Sequence, residues 1–194
     1  MSETRKMSFT AMMVSLSIVF ELIFKFVLNP FLSAIPVIGI VFNMPYGGTV
    51  SLTMLPLIIV SYRLGFSWGL LSGIIYGIIN QIIDGQVYHW ASLFLDYVLA
   101  FGLISLSSLF RKNALNGNKV NFILGMIVGA FMRYLMHSLS GVLIFAEYTP
   151  EGTNPFVYSF VLYNGPYMSV SLILCIVVGL VIYPQLKKLS ISFS

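Results

Sequence analysis

The sequence predicts an all-α integral membrane protein with six transmembrane helices in a single domain, residues 1–194. Two observations support this fold class: the composition and a series of long apolar segments. Of the 194 residues, 58% are hydrophobic and only 8% are charged, whereas a soluble domain carries about 25% charged residues. So few charges cannot cover a surface that faces water, so we expect the lipid bilayer to surround most of the chain. The first apolar segment lacks an A-x-A-type cleavage site, and we interpret it as a mature span.

Six segments approach the length of about 20 apolar residues that a membrane-spanning helix needs. The predicted spans cover residues 8–28, 49–62, 64–83, 90–110, 121–146 and 157–186. The second is short, and the last two are long enough to tilt. Between the first and second spans, residues 29–48 are apolar but contain three prolines and end in two glycines. Proline and glycine interrupt helices, so we expect an extracellular lid loop here.

The basic residues predict the orientation. With six spans, the following residues all fall on one side of the membrane: Arg5, Lys6, Arg63, Arg111, Lys112, Lys119, Lys187 and Lys188. The opposite connections hold Asp84, Glu147 and Glu151 and no lysine or arginine. Because basic loops stay inside, both termini are expected in the cytoplasm. Trp90 falls at the outer boundary, where an aromatic-belt position is the simplest interpretation.

Ionisable side chains within a span are costly and usually mark a site or an internal pair. The polar residues within the predicted spans are Glu21, Lys25, Asn80, Gln81, Asp96, Arg133, His137 and Asn164. Arg133 falls near the midplane and the others mostly in the outer half, while the cytoplasmic halves are almost wholly apolar. This asymmetry predicts a pocket that is open to the outside, and below it an apolar region without water that closes the cytoplasmic side. Such a protein binds a ligand from outside and by itself releases nothing inside.

The spacing of the charges suggests internal pairs. Glu21 and Lys25 are four residues apart, share a helix face and can pair, although a role in the pocket stays open. Arg133 and His137 lie on one stripe of the fifth span, where Arg133 could neutralise Asp96 or Glu21. His137 is either a packing residue or part of the site. Glu21, Lys25 and Arg133 are therefore predicted as structural ion-pair residues.

Several motifs are absent. The sequence contains no G-x-x-x-x-G-K-[ST] phosphate loop and no H-E-x-x-H, so neither ATP hydrolysis by such a loop nor zinc-protease activity of that type is expected. The single cysteine, Cys175, leaves no internal disulfide and no metal cluster. We expect no cofactor and no nucleic-acid partner. A pocket without an energy source implies either a partner that supplies energy or a receptor role.

Five blocks then occur in order: MPYGGTVSLTMLPLIIVSYRLG (44–65), GLLSGIIYG (69–77), LFLDYVLAFG (93–102), RYLMHSLSGVLIF (133–145) and YNGPYM (163–168). Together they resemble the thiamine-specific S-component, the substrate-binding membrane subunit of energy-coupling factor (ECF) transporters, from about residue 8 to 186. The resemblance implies a six-helix protein that captures thiamine from outside. It also implies partners: a membrane coupling protein and two cytoplasmic ATPase subunits that drive release inside.

The resemblance also implies a thiamine site. Asp96 occupies the acidic position that holds the aminopyrimidine, and Tyr97 follows it. His137 matches the histidine of the RY-x-x-H block, and Phe145 stands at the aromatic position eight residues further on. Tyr158 and Asn164 match the tyrosine and asparagine of the last helix, with a spacing one residue longer, so that Tyr163 is an alternative to Tyr158.

Other family positions depart from the pattern. Gln86 stands where the family has a tyrosine, and Tyr88 or Trp90 are its alternatives. In the lid, Tyr46 or Phe42 could replace a family tryptophan. The small-residue contact for the coupling protein falls at two positions of the first span, Ala11 and Ser15.

Two alternatives stay open at this point. An S-component for another vitamin or precursor, such as hydroxymethylpyrimidine or riboflavin, is suggested by the residues at 86 and 145. A different class, a membrane enzyme or a structural membrane subunit, would use the charges only as internal ion pairs.

Overall fold

The computed structural model describes residues 1–36, 39–42, 44, 48–84 and 89–191. Within these ranges the chain is helical and forms no strand. The six principal helices are α1 (Glu3–Ser33), α2 (Met54–Leu64), α3 (Phe66–Asp84), α4 (Trp90–Leu115), α5 (Lys119–Leu143) and α6 (Pro155–Leu186). The last of them continues as helix to Ile191. A further four-residue helix, Gly39–Phe42, lies between α1 and α2.

Five of these helices are long and apolar enough to cross a membrane, and α2 is shorter, with 11 residues. The predicted all-α membrane fold is confirmed, and each predicted span corresponds to one helix. Several boundaries differ by five residues: α1 runs from Glu3 through Pro30 to Ser33, α2 begins at Met54 and α4 ends at Leu115. The loop after α1 therefore begins later than predicted. Pro30 lies in the first turn of the terminal segment Asn29–Ser33, where a missing N–H is tolerated.

Several contacts hold the helices together at one end of the bundle. After α2 the chain turns at Gly65, whose φ of +90° favours glycine. Arg111 of α4 donates to the carbonyl oxygens of Tyr62 (3.0 Å) and Arg63 (2.9 Å), the last carbonyls of α2. Helix C-termini leave such carbonyls without partners, so a cation there is favourable. The Arg63 guanidinium also lies 4.9 Å from the ring centre of Phe9 near the start of α1.

Aromatic side chains fill this end. The rings of Tyr62 and Phe122 stack at 5.1 Å, and Phe122 lies 4.7 Å from Tyr183 of α6. The Tyr183 hydroxyl donates to the carbonyl of Ala114 at 2.6 Å. Buried serines such as Ser61 add hydroxyls, and Ser61 donates to a carbonyl one turn earlier. The half of the bundle near the chain termini is therefore a packed core, as the sequence predicts.

Glycines bring α3 and α4 into direct backbone contact. A Cβ at Gly73 would collide with the carbonyl group of Phe101, and one at Gly77 would collide with the backbone of Tyr97. Small residues in this spacing allow helices to approach closely in membranes. The glycine repeat therefore serves packing inside the bundle.

Gly73→Ala is expected to destabilise the fold, because the new methyl group would force the backbones of α3 and α4 apart. Overpacking of this kind costs about 1–3 kcal/mol. The measurement is the thermal unfolding midpoint of purified protein in detergent. The matched control is Gly102→Ala, since its Cβ would meet no backbone atom but only side-chain atoms, of Leu70 at 3.1 Å and of Ile74 at 3.5 Å. Equal midpoints for both variants would contradict the close-contact interpretation.

Candidate ligand-binding site

A cavity of about 400 Å³ occupies the half of the bundle away from the chain termini. Its walls come from α1, α3, α4, α5 and α6 and from the segment that precedes α2. Small-molecule sites typically measure about 300–1,000 Å³ and combine apolar walls with a few placed polar groups. The cavity fits a ligand of vitamin size.

Three π-helical segments lie beside the cavity: Phe24–Leu28 in α1, Leu93–Leu99 in α4 and Tyr158–Asn164 in α6. Each contributes lining side chains, among them Lys25 from the first and Asp96 from the second. A π turn inserts an extra residue, changes the direction of the side chains that follow, and is frequent at functional sites. These turns explain how residues outside simple helical spacing meet in one cavity.

Asp96 is the centre of a hydrogen-bonded chain between α4 and α5. One carboxylate oxygen lies 3.0 Å from His137 Nδ1, and the other accepts from the Ser140 hydroxyl at 2.5 Å. Arg133 Nε lies 3.3 Å from His137 Nε2. Because arginine can only donate, Nε2 must be the accepting nitrogen, and the ring proton lies on Nδ1 and faces Asp96. His137 is therefore neutral and links the guanidinium to the carboxylate.

Arg133 has one guanidinium nitrogen without a hydrogen-bond partner among the described residues. Its side chain is buried, with 5% exposed, and its guanidinium lies 4.5 Å from the ring centre of Phe101. Nη1 finds no acceptor among the described residues. Buried donors are nearly always satisfied, so a ligand acceptor would complete the site. The expected direct pairing with Asp96 or Glu21 is not observed, because His137 stands between Arg133 and Asp96.

Glu21 and Lys25 have separate partners. Glu21 accepts hydrogen bonds from Thr49 at 3.1 Å and from Thr53 at 2.9 Å. Lys25 instead forms an ion pair with Asp84, with 2.5 Å between Nζ and Oδ1. The predicted pairing of Glu21 with Lys25 is therefore wrong, because each residue has other partners. A π-helical segment begins at Phe24, between the two residues, and both side chains line the cavity.

The wall formed by α6 is polar and aromatic. Asn164 donates to the Ser159 carbonyl at 3.0 Å and accepts from the Tyr167 hydroxyl at 2.8 Å. Tyr158 and Tyr163 both line the cavity, with their ring centres 6.0 Å apart. Both residues considered for the tyrosine position thus face the same space.

The segment before α2 and the end of α5 complete the walls. The hydroxyl of Tyr163 accepts a hydrogen bond from the Gly48 backbone N–H at 2.9 Å, which ties this segment to α6. Phe145 and Tyr148 line the cavity next to each other, with ring centres 6.0 Å apart. Phe42 is partly buried against the core.

Trp90 lies away from this space. Its side chain is 71% exposed and packs against His89 and Phe94, which fits the aromatic-belt position and not a ligand contact. Tyr46, Gln86 and Tyr88 lie outside the described residues, so their predicted roles stay predictions.

Several lining residues are not among the predicted site residues, including Asp84, Thr49, Phe101, Tyr148 and Tyr167. Asp84 is expected in a loop but ends α3, four residues after Asn80 and on the same face. That spacing was the signal that could have found it. Thr49 lies outside any polar pattern and gave no signal. Among the described residues no group of three His, Cys, Asp or Glu side chains could hold a metal ion.

The remaining predicted residues lie far from the cavity. Ala11 and Ser15 are both exposed on one face of α1, in the half of the bundle near the termini. They make this face available to a partner helix, although nothing in the structure occupies it.

Comparison with known proteins gives a consistent result. The family model described as thiamine transporter protein (Thia_YuaJ) matches residues 7–191. The thiamine transporter ThiT of Bacillus subtilis is 35% identical over 163 residues, which cover 77% of this chain and 84% of that protein. ThiT of Lacticaseibacillus paracasei is 30% identical over 147 residues, or 69% and 73% of the two chains.

A solved structure of ThiT from Listeria monocytogenes has the same fold, with a TM-score of 0.65 and 21% identity, covering 86% of this chain and 96% of that one. The resemblance identified from the five sequence blocks is thus confirmed, and the role is transport, not catalysis. With its bundle of apolar helices, this multi-pass membrane protein belongs to the thiamine transporter protein family.

Proposed function

We propose that the chain is the substrate-capture subunit of an ECF-type transporter and binds thiamine with high affinity in the cavity. The observation that carries the proposal is the Asp96 carboxylate, fixed at the cavity wall by His137 and Ser140. Its relatives are named thiamine transporters, and this name indicates thiamine as the ligand.

The pyrimidine end of thiamine fits this carboxylate. Each oxygen of Asp96 accepts one hydrogen bond from the protein and keeps a further lone-pair direction for a ligand donor. The exocyclic amino group would donate a charge-assisted hydrogen bond there. Arg133 also lines the cavity and can donate to a ligand acceptor such as a ring nitrogen.

The thiazolium end fits the charge and the aromatic walls. The described lining residues include three carboxylates, Glu21, Asp84 and Asp96, and two cations, Lys25 and Arg133. With His137 neutral, carboxylates outnumber cations in this lining, which suits a positively charged ligand. Tyrosine and phenylalanine faces attract a cation by roughly 0.5–2 kcal/mol each, and Tyr158, Tyr163 and Phe145 provide such faces.

Asp96→Asn is expected to lower thiamine affinity by at least about tenfold, because an amide replaces the charged acceptor that grips the pyrimidine. Equilibrium binding to purified protein, by calorimetry or by dialysis with labelled thiamine, measures the effect. Glu151→Gln removes an exposed carboxylate outside the cavity and is the matched control. Unchanged binding in the Asp96 variant would refute this role.

Release inside requires a second component in this proposal. The cavity occupies one half of the bundle, and aromatic and aliphatic side chains pack the other half. The sequence also lacks a phosphate loop for ATP. The proposal therefore adds a membrane coupling protein and two cytoplasmic ATPase subunits, with both termini of this chain in the cytoplasm and the cavity facing outward.

Proteoliposomes that contain this chain alone are expected to bind thiamine up to the amount of protein and to accumulate none in the lumen. The packed half of the bundle is the physical reason. Filtration with labelled thiamine, before and after detergent lysis, distinguishes bound from enclosed ligand. Accumulation beyond the protein content without ATPase subunits would contradict the coupled mechanism.

Ala11→Trp is expected to abolish thiamine uptake by cells and to leave binding by the purified protein unchanged, since an indole on this exposed face would block close contact with a partner helix. Uptake and binding are measured on the same variant. Leu16→Trp is the matched control, because Leu16 is also exposed but points about 140° away around α1. Loss of binding in the Ala11 variant would show that this face packs inward.

A further inference from the structure

The ion pair between Lys25 of α1 and Asp84 of α3 lies at the edge of the cavity. Both residues line the cavity, and their side chains are 25% and 26% exposed. Glu21 and Arg133, deeper in the same cavity, are 4% and 5% exposed. The Lys25–Asp84 pair therefore marks the boundary between the cavity and its surroundings.

Asp84 is held by more than Lys25. Its Oδ2 atom accepts from the Tyr97 hydroxyl at 2.9 Å and lies 3.4 Å from the Asn80 side-chain nitrogen. These donors come from α4 and α3, and neither depends on the ion pair. The carboxylate therefore keeps its position when Lys25 leaves.

Lys25 is held more loosely. Asp84 is its only hydrogen-bond partner among the described residues. Its ammonium group also lies 5.6 Å from the ring centre of Phe26, which is itself exposed, so the long side chain has room to reach the surroundings. Because the pair is partly exposed at the cavity, another cation can approach Asp84 and replace the ammonium group.

We propose that the Lys25 side chain competes with the ligand for Asp84. Its ammonium group neutralises Asp84 in the empty cavity, and the positively charged ring of the ligand displaces it. Asp84 then becomes a second ligand carboxylate beside Asp96, and the pair selects a cationic ligand over an uncharged one. This inference rests on the proposed function, because thiamine supplies the cation.

The selectivity follows from the exchange. A cation that displaces Lys25 restores the neutrality of Asp84. An uncharged molecule of the same shape cannot replace the ion pair, and therefore leaves it intact. The two kinds of ligand should respond differently to changes at these residues.

Binding of thiamine and of its uncharged pyrimidine half, 4-amino-5-hydroxymethyl-2-methylpyrimidine, tests the selectivity. Asp84→Asn should weaken thiamine binding about tenfold, and Lys25→Met should strengthen it about threefold or more, as expected for removal of one charge near a bound cation. The affinity for the pyrimidine should change by less than about twofold in both variants. Lys6→Met, which breaks a 2.6 Å ion pair with Glu3 far from the cavity, should change neither affinity.

Amine labelling tests the displacement itself. The purified protein is treated with an acylating reagent, with and without thiamine, and modification of each lysine is followed by mass spectrometry. Thiamine should raise the rate at Lys25 and leave the rate at Lys6 unchanged.

The two tests separate the possible failures. A rate at Lys25 that stays constant or falls with thiamine would overturn the exchange, as would equal effects of Asp84→Asn on thiamine and on the pyrimidine. Absence of thiamine binding by the unmodified protein would instead refute the proposed function.

Discussion

Charges buried between membrane helices must be paired or hydrogen-bonded, because the surrounding hydrocarbon offers them no compensation. In this bundle each carboxylate at the cavity has at least two donors. Asp96 has His137 and Ser140, and Glu21 has two threonines. These donors come from neighbouring helices or from the segment before α2, so the pairing also fixes how these parts of the chain meet. Among the described cavity-lining residues, Arg133 retains a guanidinium nitrogen, Nη1, without a hydrogen-bond partner.

The fold was largely predictable from the sequence, because a membrane span has a strong signal. Length and hydropathy located six helices to within a few residues at most ends. The end of α1 was less predictable, since Pro30 looked like an interruption and in fact lies where its missing N–H has no cost. Local sequence does not show whether a proline begins a new helical turn or ends the helix.

The site was predictable in part. Asp96 and His137 stand out because each is a polar group in an apolar segment, and the structure brings both to one cavity wall. The partners of Lys25 were not predictable, because a π turn changes which side chains share a face and has no recognisable sequence pattern. Asp84 is the last residue of α3, and a polar residue at a helix end is easily taken for a loop residue. The same position places it at the edge of the cavity. The predicted Trp90 ligand contact assumed an inward side chain, and helix α4 turns it outward.

The glycine contacts of α3 and α5 with α4 have a mechanical consequence. Gly73 and Gly129 each place one helix against backbone carbonyl groups of α4, and backbone atoms cannot rotate aside as side chains can. These three helices are therefore held at fixed distances by backbone contacts, whereas α1 and α6 bury a smaller share of their residues. Asp84, Asp96 and His137 all lie on the three closely packed helices. The contacts between glycines and carbonyl groups thus set the spacing between the carboxylates on one side of the cavity.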